Sequence, residues 1–223
     1  MYNLVGLGKA GCNLVEKLSS YGNYKCFYIS SAVEKRKDSL LLPTYDTPEE
    51  YENFSQEKLE NFAKKINGNI HLFLTGDSLT SGITLRFLEK VKMQEKDINI
   101  VYITPEVSLL SGDLLLQERL VRNVLQQYSR SAVFNNILLL SNTYLEEVAG
   151  ETTLMSYYED LNTVAADAYN ILNVFKNSKS ISNTFFKIPN ISRICTLGVF
   201  DLENNYEKTV SYTHLTLPTK RIV

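Results

Sequence analysis

The sequence is poor in the residues that build metal centres and disulfide frameworks. It has three cysteines, Cys12, Cys26 and Cys195, with no C-x-x-C pair, and two histidines, His71 and His214, among 223 residues. Because ligands this sparse do not make a structural zinc site, we exclude metal-centred hydrolysis and predict no metal site. Free thiols, and a start without the basic and apolar regions of a signal peptide, are typical of a cytoplasmic protein.

The chain also lacks an excess of cations and any long apolar run. Lysine and arginine number 23 against 25 acidic residues, a formal net charge of −2. This balance leaves no surplus cation for a phosphate backbone, so we expect no nucleic-acid binding. No segment approaches the roughly 18 consecutive apolar residues of a membrane helix, so we expect no membrane span. The length indicates one domain with an appendage.

The last residues differ in character from the rest. Residues 209–219 read T-V-S-Y-T-H-L-T-L-P-T, which resembles a transposon-end sequencing adapter translated as if it were coding DNA. The alternative is a polar strand, because Tyr212, His214 and Thr216 alternate with apolar or polar neighbours at period two. We favour the adapter, under which 209–223 is non-native and the natural protein continues differently after 208.

Predicted strands and helices alternate along most of the chain. Short apolar runs at 2–5, 26–29, 70–74, 99–103 and 137–140 predict strands, and helically spaced apolar residues follow several of them. The charged region 34–52 predicts a loop or weak helix. The pattern favours an α/β fold, a mostly parallel sheet with helices on both faces, whose ligands bind beyond the carboxyl ends of the strands.

A long helix is predicted over about 154–175. Its apolar positions Tyr158, Leu161, Ala165, Ala168, Leu172 and Phe175 recur in steps of three and four. An apolar stripe of this length and width belongs against a core on more than one side. We therefore end the first domain with this helix, at 176. Residues 177–208, with Ile194 and Leu197 among their apolar positions, are predicted to begin a second, truncated domain.

The first predicted strand runs into a glycine turn, Gly6-Leu7-Gly8-Lys9-Ala10-Gly11, that precedes a helix. A helix start offers free backbone N–H groups and a partial positive charge to an anion. The turn therefore predicts a nucleotide phosphate site. A dinucleotide site would also need an acidic residue at the end of the second strand, where Ser30-Ser31 stands instead. Alternatively, the glycines only let helix and strand pack closely.

Residues 6–13, G-L-G-K-A-G-C-N, resemble the first nucleotide loop of the tubulin and FtsZ superfamily. The family's second loop, G-G-G-T-G-[ST]-G, aligns with residues 76–82, G-D-S-L-T-S-G, and Leu140-Ser141-Asn142 is similar to its I-P-N-D turn. Residues 158–162, Y-E-D-L-N, are similar to Y-G-D-L-N at the start of the family's core helix. The resemblance covers nearly all of residues 1–198 and implies a Rossmann-like nucleotide-binding domain over 1–176.

The resemblance implies GTP or GDP as ligand, with Mg²⁺ as a candidate companion, and head-to-tail self-association into filaments. Asn13, Tyr158 and Asn162 would hold the base. Tyr158 would stack on it and Asn162 would bond its edge, because an aromatic face binds any base whereas an amide offers both a donor and an acceptor. For Tyr158 the alternative is core packing, and for the polar residues of the second loop it is helix capping. The nucleotide residues that the resemblance implies are Gly6, Gly8, Lys9, Gly11, Cys12, Asn13, Gly76, Asp77, Ser78, Thr80, Ser81, Gly82, Asn142, Tyr158 and Asn162.

Hydrolysis in the family is completed by an acidic N-x-D-x-x-D loop from the next subunit. The matching residues here, 183–190, contain no carboxylate. Asn190, the single catalytic candidate, could position a water but not accept its proton. We therefore expect weak or absent GTP hydrolysis. The alternatives are an NAD(P)-binding oxidoreductase and a non-catalytic protein that kept the fold and lost the ligand.

Overall fold

The computed structural model describes residues 2–31, 38–94, 97–150, 153, 155–178 and 193–197. The strands within them are β1 (Tyr2–Leu7), β2 (Tyr24–Ser30), β3 (Ser39–Leu41), β4 (Ile70–Thr75), β5 (Ile98–Thr104), β6 (Asn136–Ser141) and β7 (Ile194–Thr196). The helices are α1 (Gly8–Ser19), α2 (Pro48–Glu52), α3 (Gln56–Lys65), α4 (Thr84–Lys92), α5 (Gly112–Arg130), α6 (Asn142–Ala149) and α7 (Tyr157–Asn177). Short 3₁₀ segments cover Leu79–Ile83 and Val107–Leu109.

The strands form one sheet in the order β3-β2-β1-β4-β5-β6-β7, and every neighbouring pair is parallel. The chain winds outward from β1 to β3 in one direction and from β4 to β6 in the other. The reversal therefore falls between β1 and β4, which is where open α/β sheets bind ligands. The predicted Rossmann-like α/β fold with a parallel sheet is confirmed.

Helices cover both faces of the sheet because right-handed crossovers that wind in opposite directions fall on opposite faces. One core lies between the sheet and α2 to α5, where Phe27 and Phe62 pack edge to face at 6.1 Å. The other lies between the sheet and α1, α6 and α7, and Phe73 and Tyr169 pack edge to face in it at 5.0 Å. The carboxyl ends of the strands lie at the edge of the sheet between these two helical layers.

Helix α7 begins at Tyr157 and ends at Asn177, so the predicted span of 154–175 is displaced by two to three residues. Its buried positions are Leu161, Ala165, Ala166, Tyr169 and Asn173. The predicted apolar stripe is wrong at both ends, since Tyr158 is 73% exposed and Phe175 85% exposed. Within the described residues, α7 packs against α1, α6 and the sheet through these buried positions, which form a narrower apolar stripe than the one predicted.

Strand β3 and helix α6 escaped the sequence prediction. Strand β3 and the short helix α2 lie inside 34–52, which we predicted as a loop or weak helix, and helix α6 follows β6 directly. Strand β7 pairs with β6, which places Ile194 in the main sheet although we predicted it in a second domain. The division of the chain at 176 stays a prediction. Residues 209–223 lie outside the described ranges.

None of the helices in the described part of the chain combines the length and apolarity that crossing a membrane requires.

Candidate functional site

The glycine turn joins β1 to α1 at the reversal of the sheet. Gly8 has φ of +72°, a left-handed conformation that favours glycine. Leu7 occupies the N-cap position of α1, and no side chain caps the helix there. Among the described residues, no side chain therefore accepts from the first N–H groups of α1, as an anion site requires.

The other two glycines of the turn serve close packing. A Cβ on Gly11 would lie 2.2 Å from the carbonyl oxygen of Phe73, and one on Gly6 would lie 2.7 Å from that of Gly11. The backbone of helix α1 is thus in contact with the backbones of strands β1 and β4. The packing interpretation of these glycines therefore accounts for Gly6 and Gly11, whereas Gly8 is required by its backbone conformation.

The structure brings the two predicted loops together. A Cβ on Gly8 would lie 2.7 Å from Thr80 Oγ1 and 3.4 Å from Ser78 Oγ. These two hydroxyl oxygens share a hydrogen bond of 2.8 Å. No side chain caps the 3₁₀ segment or α4, so capping does not explain the polar residues of this loop. Both hydroxyls lie beside the start of α1.

The remaining residues of the second loop contact the protein. Asp77 accepts a hydrogen bond from the Thr75 hydroxyl. Ser81 is 2% exposed and donates to the Gly76 carbonyl oxygen at 3.1 Å. A Cβ on Gly82 would lie 2.1 Å from the Pro48 carbonyl oxygen. The loop therefore has an outer side that carries Ser78 and Thr80 and an inner side fixed to neighbouring elements.

A cleft of about 520 Å³ opens beyond the carboxyl ends of β1, β2 and β3. Helix α1 contributes Lys9, Cys12 and Asn13 to its lining, and the second loop contributes Ser78 and Thr80. Lys9 is exposed and makes no ion pair with any described residue. The Cys12 thiol instead donates to the Gly6 carbonyl oxygen at 3.2 Å and is buried. Among the described lining residues, the cleft thus combines the start of α1 and the hydroxyls of Ser78 and Thr80 with one cationic side chain.

Of the residues predicted to hold the base, Asn13 lines the cleft, whereas Tyr158 and Asn162 lie elsewhere, as does the predicted nucleotide residue Asn142. Asn142 begins α6 after β6, which is three strands from β1, or roughly 14 Å at about 4.8 Å per strand. Tyr158 packs edge to face on Tyr157 at 5.1 Å, and its exposure means that core packing does not account for it. Asn162 is half-buried, and among the described residues its amide has no hydrogen-bond partner. These three residues do not line the cleft. Asn190 lies outside the described residues.

Some lining residues were not predicted. They come from β2, from β3 and the residues after it, from α2 and from the second loop: Tyr28, Ser30, Ser31, Ser39, Leu40, Leu41, Thr44, Tyr45, Tyr51 and Leu79. Most of these residues reach the cleft because the chain pairs with β2 again in β3. A three-residue strand inside a charged region gives too short an apolar pattern to reveal that pairing.

A buried polar group lies behind the second loop. Glu118 of α5 is fully buried, and its Oε1 accepts from Tyr102 Oη at 3.3 Å and from Arg122 Nε at 3.1 Å. Burial, followed by the nearby Glu118 carboxylate, raises the pKa of Tyr102 far above its ordinary value. The Tyr102 hydroxyl therefore stays protonated and remains a hydrogen-bond donor. The sequence signal for the ion pair is the i, i+4 spacing of Glu118 and Arg122 on a helix.

No protein-family model matches the chain, and no curated protein matches it either. Solved structures do match it. An empty FtsZ dimer from M. jannaschii is 16% identical with a TM-score of 0.64, covering 83% of this chain and 57% of that one. An FtsZ mutant from the same organism is 16% identical with a TM-score of 0.61, covering 82% and 58%. A GTPγS-bound protofilament of CetZ2 from Haloferax volcanii is 15% identical with a TM-score of 0.58, covering 77% and 58%.

The fold is therefore similar to that of FtsZ and CetZ2, and the chain spans less than three fifths of the length of each of these proteins. Sequence identity near 16% establishes the fold alone.

Proposed function

We propose that the chain binds a guanine nucleotide, GTP or GDP, and assembles head to tail into filaments. The observation that carries the nucleotide proposal is the uncapped start of α1, which meets Lys9, Ser78 and Thr80 at one end of the cleft. Backbone N–H groups, an ammonium and two hydroxyls are the donors that bind phosphate oxygens in proteins. Their position at the reversal of the sheet is the usual ligand position of this architecture.

We propose that the base lies toward α7, where Tyr158 stacks on it and Asn162 bonds its edge. The exposed Tyr158 ring and the Asn162 amide, which has no partner among the described residues, support this placement. A buried or half-buried amide without a partner is costly, so a ligand that pairs it gains binding energy. Asp77 is the carboxylate of the second loop; one of its oxygens accepts from Thr75, and the other would hold Mg²⁺ on the phosphates, since Mg²⁺ prefers oxygen ligands.

A second candidate is an NAD(P)-type dinucleotide. The cleft extends from the glycine turn over the end of β2, which is where a dinucleotide places its adenine ribose. The position of the cleft favours a site over β2, whereas Ser30 and Ser31, which stand there in place of the usual acidic residue, count against a dinucleotide. The amide of Asn162 favours a site toward α7.

Filament assembly is supported by two observations. The fold is similar to that of proteins solved as a dimer and as a protofilament. Leu109 and Leu116, which follow β5 at the cleft end of the sheet, are 80% and 64% exposed. A contact between this end and a different surface of the next molecule would generate an open filament when its rotation does not close. We propose weak or absent hydrolysis, because residues 183–190 lack a carboxylate.

The nucleotide proposal is tested by thermal melting with GTP, GDP, ATP, NAD and NADP, each with Mg²⁺. A ligand at 100 times its Kd adds about 2.7 kcal/mol to the stability of the native state, so we expect GTP and GDP to raise Tm. Lys9→Gln should reduce that rise, and Lys65→Gln, an exposed lysine at the end of α3, should leave it unchanged. A rise with NAD or NADP alone selects the dinucleotide, and no rise with any of the five contradicts both proposals.

Assembly is tested separately by sedimentation of the chain with GDP and with a slowly hydrolysed GTP analogue. We expect pelleted polymer with the analogue. Material that stays in the supernatant with both nucleotides contradicts assembly of this chain and leaves the melting result standing.

A further inference from the structure

The inner side of the second loop rests on one turn of α5. A Cβ on Gly76 would lie 2.2 Å from Tyr102 Oη and 3.1 Å from Glu118 Cα. No side chain other than that of glycine fits between these groups, because real Cβ atoms do not approach other heavy atoms so closely. The start of the loop is therefore seated directly on β5 and α5.

Two consecutive hydrogen bonds, which we call the relay, connect α5 to the inner side of the second loop. Gln117 Nε2 donates to Ser81 Oγ at 3.1 Å, and Ser81 Oγ donates to the Gly76 carbonyl oxygen at 3.1 Å. The relay joins the first residue of the loop to its sixth and attaches both to α5. Ser81 is 2% exposed, so water does not compete readily for these bonds.

The buried carboxylate of Glu118 fixes the surface on which Gly76 rests. Its Oε1 holds the Tyr102 hydroxyl and the Arg122 guanidinium, while Oε2 is buried and has no partner among the described residues. One oxygen atom therefore joins Tyr102 of β5 to α5 directly beside Gly76. Because removing one partner of a buried ion pair is strongly destabilising, this contact ties the turn of α5 under the loop to the sheet.

We propose that Gln117 and Glu118 are positioning residues, which hold the second loop so that Ser78 and Thr80 present their hydroxyls beside the start of α1. This inference rests on the proposed nucleotide function. Neither residue lines the cleft, so both act through the loop. A phosphate site needs donors fixed within a fraction of an ångström by supporting residues, and α5 supplies that support.

The test compares Gln117→Leu with Gln127→Leu, an exposed glutamine on the same helix. Two quantities are measured, the Kd for GTP and the hydrogen-exchange rates of the backbone amides of 76–82 in ligand-free protein. We expect Gln117→Leu to raise the exchange rates and to weaken GTP binding about fivefold or more. This factor is the loss of affinity that corresponds to the free energy of one hydrogen bond. Gln127→Leu should change neither quantity.

Ser81→Ala interrupts the same relay from the loop side, and the double variant should weaken binding no further than either single change. A Gln117→Leu protein with lowered Tm but unchanged Kd and unchanged exchange rates overturns the inference. A wild-type chain that binds no nucleotide overturns the proposed function, and the exchange rates of 76–82 then still decide whether α5 holds the loop.

Discussion

Thr80 Oγ1 fills the space directly above Gly8, 2.7 Å from the position that a Cβ on that glycine would take. Gly8 is thus constrained twice, by φ of +72° and by this hydroxyl. The two loops that flank the reversal of the sheet therefore form one surface. A phosphate that binds the start of α1 must also meet Thr80.

Gly8→Ala should be markedly destabilising. A left-handed backbone costs a residue with a Cβ roughly 1–2 kcal/mol, and the forced contact with Thr80 should add about 1 kcal/mol or more. Gly22→Ala is the matched control, because Gly22 has φ of +71° and no heavy atom within 4 Å of its added Cβ. Urea denaturation of the two variants measures the difference between their free energies of unfolding.

The double variant Gly8→Ala/Thr80→Ala should recover the contact part of that loss and leave the backbone part. Equal destabilisation by Gly8→Ala and Gly22→Ala would mean that Thr80 moves aside without cost, and the two loops would then not form a fixed surface.

The sheet was predictable from the sequence because its central strands are buried on both faces. Residues 70–74 and 137–140 are nearly continuous apolar runs, a pattern that parallel strands under two helical layers require. Strands β3 and β7 have three residues each, so neither gives a readable period. The central strands could therefore be predicted, whereas the edges of the sheet could not.

Helix α7 shows why the site was only partly predictable. Helical periodicity assigned Tyr158 and Phe175 to a buried stripe, but the polar residue Asn173 is buried in their place. Asn173 Nδ2 donates to Tyr24 Oη, which donates to Asn170 Oδ1 at 2.7 Å. Partners 149 and 146 residues apart leave no local pattern. Packing through tertiary hydrogen bonds therefore displaced the apolar stripe.

The stability of the fold should fall as the pH is lowered from about 6.5 to about 4. His71 lies between Tyr2, Asn99 and Tyr169, and burial followed by the charge of Lys176 lowers its pKa to about 4. In the unfolded chain His71 takes up a proton near pH 6.5, whereas in the folded protein it stays neutral until about pH 4. The unfolded state binds more protons in this window, so lowering the pH there favours unfolding, by roughly 3 kcal/mol in total.

Urea denaturation between pH 7 and pH 4 measures this loss against a His71→Gln variant. Carboxylate titrations affect both proteins alike, so the difference between the wild-type and variant unfolding free energies isolates His71. We expect the wild type to lose stability relative to the variant as the pH falls. A constant difference across the range would show that the imidazole is protonated as readily in the folded protein as in the unfolded chain.

Asn162→Asp should weaken guanine-nucleotide binding without unfolding the protein. The substitution keeps the side-chain shape, but a carboxylate only accepts hydrogen bonds, so any bond that the Asn162 amide donates to guanine is lost. An unpaired buried acceptor on the base costs about 1–3 kcal/mol, which corresponds to about five- to a hundredfold in Kd. Because Asn162 is half-buried and unpaired among the described residues, the free energy of unfolding without ligand should change little.

Competition binding of GTP against ATP measures the effect, and Asn123→Asp on the exposed side of α5 controls for the added charge. If GTP keeps its advantage over ATP in the Asn162→Asp protein, the base does not lie at α7, and the cleft over β2 becomes the place to search for it.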